Sequence, residues 1–532
     1  MCVAHARKQS GKMCGFKCIT FFICIAFHSV NGYSRCEKLV ALSTSEDKQT
    51  VVDTNLKLLA GTWISEGCET RPGPEYVIRY YEFEENGNFS VIQHHYWDES
   101  CSSPKLTLTA TGRLQLRNSL VQPGASNGYT KIGNITVIPH DIDAAKMLDR
   151  LVASECAGQY WKTWRRYEEH LVYENKHLGK KKNFMNWSSG TNFHSLSSQR
   201  NVQHSSGHIT CLGSLKWAFN ELKLLKIQLR PFDISFKKPK EMKMELLLGD
   251  IHSNLRLRGV YNPTSFQTPL VKRSNGELVT INRRVYSIRN ANVLMSNIFT
   301  NSKTPPHLLV KAPLPPYIWG EWTSVRCEIR PMGLYLTRLF YFYSEDSTWI
   351  GEHKFYSDPF CTIPKFVVTA AGFFQTIGPS YQLGGSYDID FHIEKASMTI
   401  LDQRMTQDFH LPGVCGLDEW EVNVPKELSS TNGCLPLGII LPSVQMDIMK
   451  IEMSFKGALL LYLGQTDTDN MPDIAKNERP TAFQLPLVKC GEISTYSQEL
   501  RDILYDDLDL NTGNIEKVHL VLMILSLVLV MR

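Results

Sequence analysis

The chain has 532 residues, 57 Lys and Arg against 53 Asp and Glu, and a formal charge of +4. Four of the bases, Arg7, Lys8, Lys12 and Lys17, stand in the first 32 residues, which hold no acid, so the rest of the chain is neutral. Charge therefore gives no ground for a nucleic-acid binder, and a hydrophobic content of 43% is that of a folded protein, not a disordered one.

Residues 1–32 predict a secretory signal peptide: a basic start, an apolar run from Cys18 to Val30, and the small residues Val30 and Gly32 flanking a cleavage site. The run is short for a membrane span. Beyond it stand Cys36, Cys68, Cys101, Cys156, Cys211, Cys327, Cys361, Cys415, Cys434 and Cys490. An even number of cysteines in an exported chain predicts disulfides. None forms a CxxC pair, so a zinc site has no support. Asn88, Asn134 and Asn186 each begin an Asn-x-Ser/Thr sequon and are the expected glycan sites.

The next feature is an internal repeat. LAGTWISEGCETRPG, from Leu59, returns as IWGEWTSVRCEIRPM, from Ile318, with Gly61, Trp63, Cys68, Glu69, Arg71 and Pro72 all recurring at one offset of 259. CSSPKLTLTATG at Cys101 returns as CTIPKFVVTAAG at Cys361, and SFQTPLVK from Ser265 as AFQLPLVK from Ala482. Cys156 matches Cys415, and Cys211 matches Cys434 across a deletion. These landmarks divide the chain into a first domain over 55–272, a link over 273–312 and a second domain over 313–490. The deletion marks residues 175–208, polar and rich in Ser, Asn and His, as a mobile insert of the first domain. The link carries Val and Ile that suit strands, then a proline-rich end.

Strand patterns fill both copies. Around Asn86-Gly87, YVIRYYEF and FSVIQHHYW predict a hairpin; YLTRLFYFY and STWIGEHKFY repeat it around Glu345 and Asp346. Asp141 to Val152 is the one helical pattern of the first copy. The apolar phase shifts by one residue at Leu224/Leu225 and again at Ile448/Met449, which predicts a β-bulge in each strand. The expected fold is all-β: two tandem, homologous, antiparallel β-barrels, calycin-like and held by disulfides. Gly61-Thr-Trp63 and Gly320-Glu-Trp322 look like the first-strand motif of calycin barrels, whose tryptophan plugs one end.

After a juxtamembrane segment over 491–517, Val518 to Met531 forms a second apolar run. At about 1.5 Å per residue it reaches roughly 21 Å as a helix, short of a hydrocarbon core of about 30 Å. It fits a marginal single span of type I topology, or the removable tail of a glycolipid-anchor signal cleaved near Asn511, Thr512 and Gly513. A buried last strand is the structural alternative. Either anchor places the protein on the extracellular face of the cell membrane.

No GxSxG, HExxH or GxxxxGK[ST] motif is present, so no enzyme activity, cofactor or metal is expected. His94-His95 is no metal pair on a strand, because adjacent side chains point to opposite faces. Glu69 with Arg71, and Glu328 with Arg330, are expected to brace a disulfide-bonded turn. The second copy carries larger apolar groups than the first at matched places, with Phe340 against Tyr81 and Phe373 against Arg113. This makes Trp322, Phe340, Phe342, Phe355, Phe366 and Phe373 the candidate lining of a lipid site.

At its paired GxW–CExRP motifs, its two CxxPK segments and FQxPLVK, the chain resembles the adenomatosis polyposis coli down-regulated family of Wnt inhibitors over residues 55–490. That resemblance implies a membrane-anchored glycoprotein with two adjacent β-barrels outside the cell. It implies binding of Wnt ligands through their acyl chain, with Wnt receptors or co-receptors as further partners, and restraint of Wnt signalling. The other reading is a calycin-like carrier of free fatty acid or another small apolar ligand.

Overall fold

The computed structural model describes residues 35–490 apart from 158–161, 176–211, 232–240, 275, 290–300, 311–312, 409–414, 417–418, 455–456, 466–467 and 469–478. The expected signal peptide, Asn186, Cys211, nearly all of the insert, and the juxtamembrane and anchor segments therefore lie outside the described residues.

The first repeat closes a ring of eight strands: β1 (Gly61–Ile64), β2 (Glu75–Phe83), β3 (Asn88–Tyr96), β4 (Pro104–Asn118), β5 (Ser126–Pro139), β6 (Leu224–Pro231), β7 (Glu241–Leu248) and β8 (Leu270–Lys272). Each pairs antiparallel with the next, and β8 pairs back with β1. The second repeat builds the same ring from β9 (Gly320–Ser324), β10 (Leu334–Phe342), β11 (Thr348–Tyr356), β12 (Pro364–Pro379), β13 (Tyr387–Ile400), β14 (Ser443–Met453), β15 (Leu459–Leu463) and β16 (Leu487–Lys489). Closure removes the sheet edges that eight strands would otherwise expose. Part of the link joins the first sheet, as strands Leu278–Ile281 and Arg284–Ile288.

Bulges let the long strands curve, and they recur. The β4–β5 ladder slips between Thr111 and Gly112, and the β12–β13 ladder between Ala371 and Gly372. A Cβ on Gly112 would meet the Lys131 carbonyl oxygen at 2.5 Å, and one on Gly372 the His392 carbonyl oxygen at 1.9 Å, so only glycine fits. The predicted bulges at Leu224/Leu225 and Ile448/Met449 are absent: the pairing there runs without a slip. The second strand is instead buried on both faces. Met449 points into its barrel, while Ile448 points outward into a cluster with Tyr76, Ile78, Tyr96 and Leu383 at the contact between the barrels.

That contact is two-fold in pattern. The Gly73 amide donates to Thr481 Oγ1 at 2.8 Å, and the Met332 amide to Thr264 Oγ1 at 2.9 Å. Met332 is the repeat counterpart of Gly73, and Thr481 that of Thr264. Ser253 and Thr468, counterparts of each other, are joined by the Ser253 amide donating to Thr468 Oγ1 at 2.8 Å. Gln122 accepts from the Tyr335 hydroxyl at 3.1 Å, and its counterpart Leu383 packs beside Tyr76, the counterpart of Tyr335. One self-complementary patch thus serves twice within a single chain, as in an isologous dimer.

Two helices complete the frame. α1 (Arg35–Gln49) has no apolar pattern in sequence and is held by charge: Asp47 accepts from Arg230 at 2.7 Å and from the Cys327 amide at 2.7 Å, and Cys36 is bonded to Cys490. α2 (Ile142–Glu155) begins at the predicted place, where Asp141 caps the Ala144 amide. It packs Ala145, Leu148 and Val152 into the first core. Cys68 is bonded to Cys101 and Cys327 to Cys361, the same pairing in both copies. Cys415 is bonded to Cys434, and Cys156 is disulfide-bonded.

Candidate functional site: the barrel interiors

Each barrel is plugged at one end by the tryptophan of its first strand. Gly61 and Gly320 have φ of +112° and +104°, a conformation that favours glycine. Trp63 and Trp322, two residues on, are fully buried. Their Nε1 atoms donate to the Leu59 carbonyl at 2.7 Å and the Ile318 carbonyl at 2.6 Å. Lys272 and Lys489, which close the two PLVK segments, each hold their ammonium 5.7 Å from a tryptophan ring centre.

Beyond the plug lies a belt of buried charge, and here the copies part. In the first barrel Arg79 of β2 donates to Glu69 through Nε at 3.0 Å and Nη2 at 2.6 Å, and to Glu221 through Nη1 at 3.1 Å. Glu221 also accepts from Arg71 at 2.8 Å, from the Gln93 amide at 2.9 Å, from the Gln267 amide at 2.7 Å and from the Tyr81 hydroxyl. Burial alone would raise the Glu221 pKa, but Arg71 and Arg79 hold it below the usual carboxylate range. The Tyr81 hydroxyl is pushed well up by burial and by that carboxylate.

In the second barrel Arg338 donates to Glu328 at 2.8 Å and to the Leu485 carbonyl at 2.6 Å, and Arg330 donates to Glu328 at 2.6 Å. Phe340 stands where Tyr81 does, and His353 where Gln93 does. The second buried carboxylate, Asp447, accepts from the amides of Ile448 at 2.7 Å and Gly464 at 2.9 Å, and forms no ion pair among the described residues. Burial pushes its pKa up to about 7. Sequence reasoning assigned Glu69, Arg71, Glu328 and Arg330 to a turn and missed Arg79, Arg338, Glu221, His353 and Asp447. The available signal was an arginine at the same place in two otherwise apolar strands, YVIRYYEF and YLTRLFYFY.

The layer next to the belt differs in bulk. Tyr81, Val91, Ala110 and Ile135 face one another across β2 to β5. Their counterparts across β10 to β13 are Phe340, Gly351, Ala370 and Ala396. Valine has become glycine and isoleucine has become alanine. The first barrel has one continuous core from Trp63 to Leu148, Val152 and Trp164. The second core divides into one cluster holding Trp322, Phe340, Phe342 and Trp349 and another holding Phe366, Met398, Ile400 and Trp420; Ala370 and Ile393 touch both and are only partly buried. Gln93 and Ala110 are sealed at 0% and 1% exposure, whereas His353 and Ala370 are reached by solvent.

The six predicted lipid-site residues fall in three places. Trp322, Phe340 and Phe342 line the plugged end. Phe355 and Phe366 stack at 4.5 Å at the other end. Phe373 faces outward, 38% exposed and stacked on His392 at 4.1 Å, so it does not line the interior, because the strand's alternation carries its side chain to the outer face. A cavity of about 780 Å³ lies at the hairpin between β10 and β11, lined by Trp319, Tyr343, Ile350, Glu345, Asp346 and Glu394 and bordered by Phe342 and Trp349 of the plugged end; it does not include Gly351, His353 or Phe366.

His94 and His95 point to opposite faces, as strand geometry requires. His94 shares the Thr107 hydroxyl with His140, at 2.8 Å and 2.7 Å. Burial lowers the pKa of His94 to about 3, and of His95 and His140 to about 4. Asn88 is exposed at the start of β3, and Asn134 is partly exposed on β5, where its side chain accepts from the Thr111 amide at 3.2 Å.

A family model described as adenomatosis polyposis coli down-regulated 1 matches residues 35–287 and 307–496, both barrels included.

Proposed function

The chain belongs to the adenomatosis polyposis coli down-regulated 1 family, and from that premise we propose that it is a negative regulator of Wnt signalling that captures Wnt outside the cell, with the ligand's acyl chain held in the second barrel. The observation that carries this reading is the break between the two apolar clusters of the second barrel, where Ala370 and Ile393 are only partly buried and alanine stands at 396 in place of the first barrel's isoleucine. Moving an acyl chain from water into such a break yields about 25 cal/mol per Å² of apolar surface. In this reading the protein binds and does not catalyse, needs no metal or cofactor, and is N-glycosylated and tethered at the extracellular face of the membrane. Disulfides are at home in that compartment.

The test is binding of the whole protein to acylated Wnt and to a Wnt variant that lacks the acylated serine. The reading predicts binding to the first alone. Equal binding to both would place recognition on an outer surface. The same break supports a second reading, a carrier of free fatty acid. Failure of excess fatty acid to compete with Wnt, together with tight uptake of the acid itself, would favour the carrier.

A further inference from the structure

His353 is a residue of the second barrel's belt with no hydrogen-bond partner among the described residues. Its counterpart Gln93 donates to Glu221, to Tyr81 and to the Ala218 carbonyl. His353 makes no hydrogen bond among the described residues; its ring meets only the edge of Phe340, with centres 5.5 Å apart. It lies between Arg338 and Val368 in the cross-strand ladder, so it faces inward. The next layer toward the plug is the thinned one of Gly351 and Ala370, and the next layer outward is the Phe355–Phe366 pair. Solvent reaches His353, so an apolar chain that displaced this water would leave the imidazole unsatisfied unless the ligand supplied a partner.

We infer that His353 is the specificity contact of this site: its ring N–H donates to the carbonyl oxygen of a bound acyl group, whose hydrocarbon tail lies beside Ala370 and Ile393, the partly buried residues between the two apolar clusters. The inference rests on the acyl-holding reading above. Burial, then Arg338 and Arg330, holds the His353 pKa down to about 4, so at neutral pH the imidazole carries one N–H and one lone pair. Its place one layer inside the Phe355–Phe366 pair sets the carbonyl between that pair and the tail. Shape alone would accept any hydrocarbon of the right length; a single donor at this depth makes the barrel read acyl chains.

The experiment uses the whole protein and three probes of equal length: a saturated fatty-acid methyl ester, the free fatty acid, and an alkyl methyl ether that lacks the carbonyl. His353→Phe should weaken ester binding roughly three- to tenfold, the worth of one hydrogen bond, and leave ether binding unchanged. His353→Gln, which installs the first barrel's residue, should restore it. The free-acid arm shows whether the donor serves a carboxylate as well as an ester. Equal loss for ester and ether, or no loss for either, overturns the role of His353 while leaving the acyl-holding reading intact. Failure of the wild-type protein to take up any of the probes overturns both.

Discussion

The two barrels share a plug, a belt and a ladder, yet the first has one continuous core and the second has two, with Ala370 and Ile393 only partly buried between them. The first meets Arg71 and Arg79 with Glu69 and Glu221 and completes the set with Tyr81 and Gln93. The second keeps the arginines, turns Tyr81 into Phe340 and Gln93 into His353, and leaves Asp447 without an ion pair among the described residues. The comparison teaches how a duplicated fold divides labour. One copy keeps a densely paired polar belt and a continuous core, and its twin has fewer ion pairs among the described residues and smaller residues at Gly351 and Ala396.

The sharpest way to break that comparison is to remove the central arginine from each barrel. Arg79→Met leaves Glu69 with no guanidinium and Glu221 with one, both buried; a loss of about 3–5 kcal/mol is expected by denaturant unfolding. Arg338→Met should cost less, because Arg330 still holds Glu328 and Asp447 can take up a proton. Equal losses would mean that the belts are equivalent.

Ala396→Ile gives the second barrel the first barrel's residue. In a hollow barrel it fills space, so acyl-chain uptake should fall more than tenfold while the melting temperature holds or rises. In a packed barrel the same change costs about 1–3 kcal/mol through overpacking, and that outcome would end the case for a cavity.

Acid separates the barrels by sign. His94, His95 and His140 have folded pKa values depressed below the unfolded value of about 6.5. Their stabilising effect is whole above that value and is lost as pH falls toward 4, by up to about 1.4 kcal/mol per pH unit for each. In the second barrel His353 acts in the same sense, but Asp447, raised to about 7, is protonated in the folded state and gains stability as pH falls from 7 toward 4. Hydrogen exchange, corrected for intrinsic rates, should therefore show β3 losing protection between pH 7 and pH 5 while β11 changes little. Equal losses would contradict the assignment.

The smallest effect is expected at Phe373. Changing it to Ser should move stability by no more than about 0.5 kcal/mol and leave acyl binding untouched, because it stands on the outer face.

Much of this frame was legible in the sequence, because it rests on local or repeated signals. The GxW motif announced the plugs, strand alternation the barrels, and Asp141 the helix α2. What stayed hidden depends on contacts between distant segments. Nothing local in Arg35–Gln49 marks a helix whose hold is Asp47 on Arg230 and Cys327. The phase shift at Ile448/Met449 looked like a bulge because a sequence does not show that a second barrel covers the outer face. Glu221 lies 142 residues from Arg79, the partner it meets. The aromatic count pointed to the second copy, but counting large residues picked Phe373 and passed over the small ones, Ala370 and Ala396, at the break between the two clusters.

The most direct test of an acyl site in the second barrel is a crystal structure of the protein with a fatty acid brominated along its chain. The account predicts anomalous bromine density inside the second barrel, beside Ala370 and Ile393. Bromine in the first barrel or only on an outer surface would contradict it.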